Sequence, residues 1–335
     1  MKKERILYID RLRGINILLV VMGHVITGNV INGESSEILV YGSTFRMPLF
    51  MFLCGYIASK VMKPKKIFDN YGAFVLKKCR TLLVPFFVWP LLVNPFFFSD
   101  SLSFNFYETL LELINGGGLW FLWQLFFVTL LYSLWLFLSS TFNTNKNLIK
   151  DVLFLLLIAV GLLAIWQLNI VVFMRNFMLF FVFYFLGVIV AKYDVLSKLI
   201  MNKIVFSLAF LVFCLVVGHY QYGMSSLNNS VIKFTCAISA IIVFYTLIRR
   251  ATFNEFIDKN IRKFGVNSLV IYVTHYYVVY VFATPFISAE FNQIPLFLIC
   301  SLLSVMVALI SIFIYRILNF SNILGLILYG NKFQK

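Results

Sequence analysis

The sequence predicts an all-α, polytopic integral membrane protein of about ten transmembrane helices, with the N- and C-termini cytoplasmic. Three observations carry this. Of the 335 residues, 61% are hydrophobic and only 12% charged, about half the charged share of an ordinary soluble domain. The apolar residues gather into runs of the length that crosses a bilayer as a helix, roughly 17–25 residues. The 28 Lys and Arg residues fall almost wholly into alternate connecting segments, as the positive-inside bias requires.

The ten runs cover residues 14–31, 44–61, 81–98, 119–138, 150–168, 173–191, 204–220, 231–248, 268–287 and 296–318. Phe, Leu, Ile and Val fill them, and several are apolar on all sides, so no single buried face can be read from their pattern. With the N-terminus in the cytoplasm, the first segment carries Lys2, Lys3, Arg5, Arg11 and Arg13. The segment after the second run carries Lys60, Lys63, Lys65, Lys66, Lys77, Lys78 and Arg80. Lys146 and Lys150 come next, followed by Lys192, Lys198 and Lys203. Arg249, Arg250, Lys259, Arg262 and Lys263 form a later group, and Arg316, Lys332 and Lys335 the last. Only Arg46, Arg175 and Lys233 fall on the opposite side. Ten crossings return the C-terminus to the cytoplasm. No long hydrophilic stretch leaves room for a separate soluble domain, so residues 1–335 read as a single membrane domain.

The net charge of +15 is accounted for by this topology and by contact with anionic membrane lipids. It gives no reason to expect a nucleic-acid partner. The five cysteines, Cys54, Cys79, Cys214, Cys236 and Cys300, are odd in number and irregular in spacing. They form neither a disulfide framework nor a metal motif and read as small packing residues. No metal and no permanently bound cofactor is expected. The first apolar run contains His24 and lacks a small-residue cleavage site, which argues against a removable signal peptide. No matched pair of broken helices marks the chain as a carrier built from repeats.

Chemistry is expected at two histidines. His24 and His275 are the strongly polar ionisable side chains deep within the runs, whereas the 13 Asp and Glu residues lie outside them or at their edges. A polar group held in lipid is costly and commonly marks a functional site, and imidazole suits proton transfer near neutral pH. Arg13 and His24 are eleven residues apart, close to three helical turns, so they share one face about 16 Å apart along the axis. Arg13 then sits at the cytoplasmic edge and His24 near or beyond the midplane. Asp10, one turn before Arg13, is placed to pair with it. Arg46, at the mouth of the second run, and Arg175, opening the sixth, are either snorkelling anchors or contacts for an anionic group. Lys233 reads as an anchor. His219 falls near the end of the seventh run and reads as interfacial.

Several segments in order resemble one family. Tyr8-Ile9-Asp10-Arg11-Leu12-Arg13-Gly14, followed by His24, resembles the opening of the membrane acyltransferase-3 family, in which an Arg or Lys precedes a first-span His by eleven positions. The segment Phe45-Arg46-Met47-Pro48 through Gly55-Tyr56 is similar to the family's second-span motif. Cys54 stands where Ser is common there, and Arg46 where His is frequent. Lys77-Lys78-Cys79-Arg80-Thr81-Leu82-Leu83-Val84-Pro85, Gly118-Leu119-Trp120-Phe121-Leu122, Phe183-Tyr184-Phe185-Leu186-Gly187 and the stretch from Ser268 to His275 extend the likeness over nearly the whole chain.

The resemblance implies an integral membrane O-acyltransferase that moves an acetyl group from acetyl-CoA, as co-substrate, to a sugar hydroxyl. The acceptor would be a cell-envelope or exopolysaccharide glycan, or a lipid-linked sugar, and the location a bacterial cytoplasmic membrane. It implies His24 as the catalytic residue, Arg13 as a donor-binding cation and Arg80 as a second. Asp10, Arg46, Trp120, Arg175 and His275 are accessory or acceptor-side candidates. His24 would act either as a base on the acceptor hydroxyl or as a nucleophile that carries the acyl group. Trp120 could stack on a sugar or serve as an interfacial anchor. The rival class is a transporter of a lipid-linked sugar or small solute, with the two histidines as a relay; the lack of mid-span carboxylates weighs against a proton-driven carrier. The oligomeric state is not readable.

Overall fold

A computed structural model gives the structure of the chain and describes residues 6–97, 105–115, 117–141, 147–167, 174–224, 226–285 and 287–332. Its principal elements are helices α1 (Leu7–Asn29), α2 (Glu37–Val61), α3 (Tyr71–Phe96), α4 (Trp120–Thr141), α5 (Leu148–Gln167), α6 (Met174–Lys192), α7 (Lys203–Val217), α8 (Leu227–Arg250), α9 (Glu255–Val266), α10 (Ser268–Val281), α11 (Gln293–Leu318) and α12 (Asn322–Tyr329). The all-α expectation holds, and a helix lies over each of the ten expected runs. Two short strands, β1 (Val30–Ile31) and β2 (Ile287–Ser288), pair in parallel.

By length and composition, five of the described helices can cross a membrane: α2, α3, α4, α8 and α11. The number becomes seven if two bent pairs each count as one span. One such pair is α9 and α10, bent by 81°. Helix length alone therefore does not deliver ten crossings. The helix α7 has 15 residues and α10 has 14, roughly 21–23 Å of rise. The helix α1 has 23 residues but begins with the charged turn Asp10-Arg11-Leu12-Arg13. One boundary also moved. The helix α2 starts at Glu37, seven residues before the apolar run, with Glu37 favourably placed at its N-terminus. Arg46 is therefore well inside a helix rather than at its mouth.

The chain forms two compact units, residues 1–53 with 195–315, and residues 54–194 with 316–335. In the first, α1 is the central helix. Gly14 and Gly265 let the backbones of α1 and α9 meet: a Cβ at Gly14 would overlap the Ile261 carbonyl oxygen, and one at Gly265 the Asp10 carbonyl oxygen. Close approach through small residues is the usual way helices associate in lipid. The helix α10 lies along α1, and their far ends are clamped twice. Val30 pairs with Ile287, and the Asn29 side-chain oxygen accepts the Thr284 N–H at 3.2 Å. The helices α7 and α8 form a hairpin. The Asn202 and Ser226 side chains accept backbone N–H groups at their starts, meeting the unfilled donors of a helix N-terminus.

In the second unit, aromatic rings supply much of the packing. Phe86 stacks on Trp123, centroids 5.0 Å apart, and Trp135 on Phe154 at 4.2 Å. The helix α3 opens into π-turns at Cys79–Leu83 and Trp89–Val93, next to Pro85 and Pro90, whose missing N–H groups weaken the regular ladder. The Asp151 carboxylate is buried. It receives Lys192 Nζ at 2.6 Å, the Tyr193 hydroxyl at 2.6 Å and Trp135 Nε1 at 2.8 Å. A buried carboxylate is tolerated when it is paired and hydrogen-bonded in this way.

Candidate active site

The site grows from the register between α1 and α10, both in the first unit. On α10, Ser268 and His275 are seven residues apart, two turns, and share a face. On α1, Arg13 and His24 share a face. The two faces meet in parallel. Arg13 Nη2 donates to Ser268 Oγ at 2.8 Å, and further along His24 stands beside His275, ring centroids 5.0 Å apart and planes tilted by 56°. The long guanidinium arm takes up the difference between an eleven-residue and a seven-residue spacing. Asp10 also reaches Arg13, at 3.9 Å, as its spacing predicted.

The surroundings of the histidine pair are asymmetric. His275 is buried, with Nδ1 2.9 Å from the Ile271 carbonyl oxygen. A carbonyl only accepts, so Nδ1 carries the hydrogen, and in the neutral ring Nε2 presents a lone pair. Among the described residues Nε2 has no hydrogen-bond partner. An unfilled buried acceptor is costly, so this lone pair is available to a donor brought beside it. His24 is half-buried, and Tyr276 packs edge-on against it with centroids 5.5 Å apart.

Arg46 completes the group. Its guanidinium lies over the backbone of Gly23, the residue before His24, in the space a Cβ would fill. Asn16 Nδ2 donates to the Arg46 carbonyl at 2.7 Å, tying α1 to α2. Both imidazoles lie within electrostatic reach of the guanidinium. Among the described residues none accepts a hydrogen bond from it or pairs with it as a carboxylate.

The other expected residues stand elsewhere. Arg80, in the second unit, donates from Nε to the Gly330 carbonyl at 3.1 Å, and Gly330 (φ 62°) packs on the Arg80 backbone. Trp120, also in that unit, lies against Phe180 with centroids 5.1 Å apart. The Arg175 side chain lies outside the described residues. His219 is exposed just after α7. Sequence reasoning assigned no role to Asn16, Gly23, Ser268 or Tyr276. Ser268 had a readable signal, seven residues before a membrane histidine, whereas Gly23 and Asn16 matter only through a partner thirty or fewer positions away in sequence on another helix. It also placed Asp151 at an edge and missed its burial.

Several apolar helices of spanning length mark a multi-pass membrane protein, and its first unit brings two histidines of the apolar runs together. The profile of one family, described as an acyltransferase domain, matches residues 6–316. The chain belongs to the acyltransferase-3 family and is a membrane acyltransferase. Neither a curated protein nor a solved structure matches it. Membership in a family of acyltransferases favours acyl transfer over the carrier alternative.

Proposed function

We propose that the protein is an O-acetyltransferase of a bacterial cytoplasmic membrane. It takes the acetyl group of acetyl-CoA and passes it to a sugar hydroxyl of a cell-envelope glycan or its lipid-linked precursor. The observation that carries this reading is the line of groups on α1 and α10. Arg13 stands at one end, and the His24 and His275 pair stands further along the same face. A guanidinium binds phosphate through two parallel hydrogen bonds, which suits the polyanionic head of coenzyme A. The thin pantetheine arm then runs along the helix face toward His24. Ten crossings with both termini in the cytoplasm would open the Arg13 end to the cytoplasmic donor.

In this reading His24 takes the proton of the acceptor hydroxyl as that oxygen attacks the thioester carbonyl. The carbon–sulfur bond then breaks, and protonated His24 returns the proton to the departing sulfur, which leaves as the thiol of coenzyme A. The lone pair of His275 Nε2 offers a fixed acceptor for the single N–H of neutral His24, which would set its tautomer and leave its other nitrogen free to take the proton. Arg80 is a second donor-binding cation on the strength of the family resemblance. Asp10 orients Arg13, and Trp120 and Arg175 act on the acceptor side.

The test is transfer of labelled acetyl from acetyl-CoA to envelope glycan by membranes carrying either wild type or His24→Ala. Label in glycan with wild type alone supports the proposal. Equal labelling by both removes His24 from catalysis. No labelling of any glycan fraction, with intact donor and active controls, removes the acetyl-to-glycan assignment.

A further inference from the structure

Beyond the histidine pair, the first unit gathers two cations and two phenols with no acid among them. Arg46 and Lys233 lie within each other's field, and Arg46 feels both Tyr220 and Tyr222. Lys233 Nζ stands 6.0 Å from the centre of the Tyr220 ring. Tyr220 lies beside the Ser43 side chain on α2, one turn before Arg46, and the Ser43 hydroxyl donates to the Val40 carbonyl at 2.7 Å. No carboxylate among the described residues pairs with either cation. Two half-buried like charges repel and lose hydration, so their juxtaposition is costly unless something of opposite charge is bound.

The segment that carries the phenols is held in place. Asn229, on α8, accepts the Gln221 N–H at 2.9 Å and donates to the Gln221 and Met224 carbonyls, each at 2.8 Å. One buried side chain thus ties down the backbone at Gln221 and Met224, on either side of the exposed Tyr222 and next to Tyr220. On the other side, Phe45 stacks on Phe244 at 5.0 Å and meets Phe213 edge-on at 5.9 Å, which fixes α2 against both helices of the hairpin. Gly23 supplies the space in which the guanidinium lies beside His24. Preorganised donors on rigid supports are what a binding site requires.

We propose that Arg46 and Lys233, with the hydroxyls of Tyr220 and Tyr222, bind an oxyanion, a carboxylate or phosphate carried by the acceptor, and hold it next to His24. A planar guanidinium with its fork of donors unfilled matches either group. The acceptor is then an acidic sugar or a phosphate-bearing glycan rather than a neutral one. Naming the anion as part of the acceptor rests on the acyl-transfer reading; the binding itself does not.

The test is thermal unfolding of the purified full-length chain without acyl donor. Glucuronate, inorganic phosphate and, as a neutral control, glucose are added at matched ionic strength. For wild type, at least one anion raises the unfolding temperature, by roughly 2–4 °C at tenfold excess over its Kd, and glucose does not. A response to glucuronate alone assigns a carboxylate, and to phosphate alone a phosphate. In Arg46→Gln the rise disappears. Arg46→Lys keeps the charge and retains part of it. Lys233→Gln, which leaves the contact with α1 untouched, weakens the apparent affinity roughly 3- to 10-fold, the scale of one net hydrogen bond. Gly23→Ala, whose methyl displaces the guanidinium, behaves as Arg46→Gln. A rise that persists in Arg46→Gln and Lys233→Gln but vanishes in Arg13→Gln belongs to the donor end and overturns the proposal. So does an equal response to glucose, or no response to either anion. Because no acetyl is transferred, a failure of this site is distinguishable from a failure of the acyl-transfer reading.

Discussion

The imidazoles of His24 and His275, 251 positions apart in sequence, face each other with ring centroids 5.0 Å apart. One is half-buried beside Tyr276, and the other is buried with Nδ1 committed to the Ile271 carbonyl. Under the proposed acyl transfer, that division gives the two rings different work. His275→Leu keeps the volume, and the lost bond to Ile271 should cost about 0.5–1.5 kcal/mol of stability. Transfer should fall more steeply, roughly 10- to 100-fold, with kcat reduced and the pH–rate profile shifted. A fall in stability with an unchanged pH–rate profile would give His275 a packing role only.

Arg13 is held from two sides, by Ser268 at 2.8 Å and by Asp10 at 3.9 Å. Ser268→Ala should release the guanidinium without removing it. The expected result is a rise of roughly 2- to 10-fold in apparent KM for the acyl donor, with little change in kcat, the scale of one hydrogen bond. Arg13→Ala should raise KM further. Initial-rate kinetics over a range of donor concentrations separate the two parameters, and an unaltered KM in both variants contradicts a donor-side role.

Gly265 meets the Asp10 carbonyl where any side chain would collide with backbone. Gly265→Leu should push α9 from α1 and destabilise the chain by at least the ~1–3 kcal/mol typical of overpacking. Gly72, where a Cβ meets open space within 4 Å, is the control. Gly72→Ala, in the first turn of α3, should leave the unfolding temperature unchanged or slightly higher, since Ala is the better helix former. Thermal unfolding in detergent checks both.

Asp258 lies on α9, in the segment that leads into the ninth apolar run. The Arg11 guanidinium, bonded to it from α1, and Arg262 one turn along hold its carboxyl below the usual range. A folded-state pKa below the unfolded one means that the unfolded chain binds the proton more readily. The stabilisation is therefore complete above about pH 5, weakens on approach to the unfolded value near 3.9, and is lost as pH falls through the lowered folded value. The difference in unfolding temperature between wild type and Asp258→Asn should be constant from pH 7 to about pH 5 and close toward pH 3. A difference that stays constant to pH 3 would show that the carboxylate charge is not what stabilises this contact.

The sequence by itself determined the helical class, the segments that become helices and the Arg13, His24 and Asp10 alignment. These follow from local rules, the length of apolar runs and the 3.6-residue turn, which act within a single segment. The ordered motifs likewise pointed to the acyltransferase family. The tertiary structure alone decided that His24 and His275 meet, that Ser268 holds Arg13 and that Arg46 rests on Gly23. It also decided that Asp151 is buried in an ion pair rather than left at an edge. Each of these depends on the register between helices. Runs apolar on every side carry no periodic signal to fix which faces pack together, so the partners of Gly23 and Asp151 emerge only when backbones approach and burial makes each unpaired polar group costly.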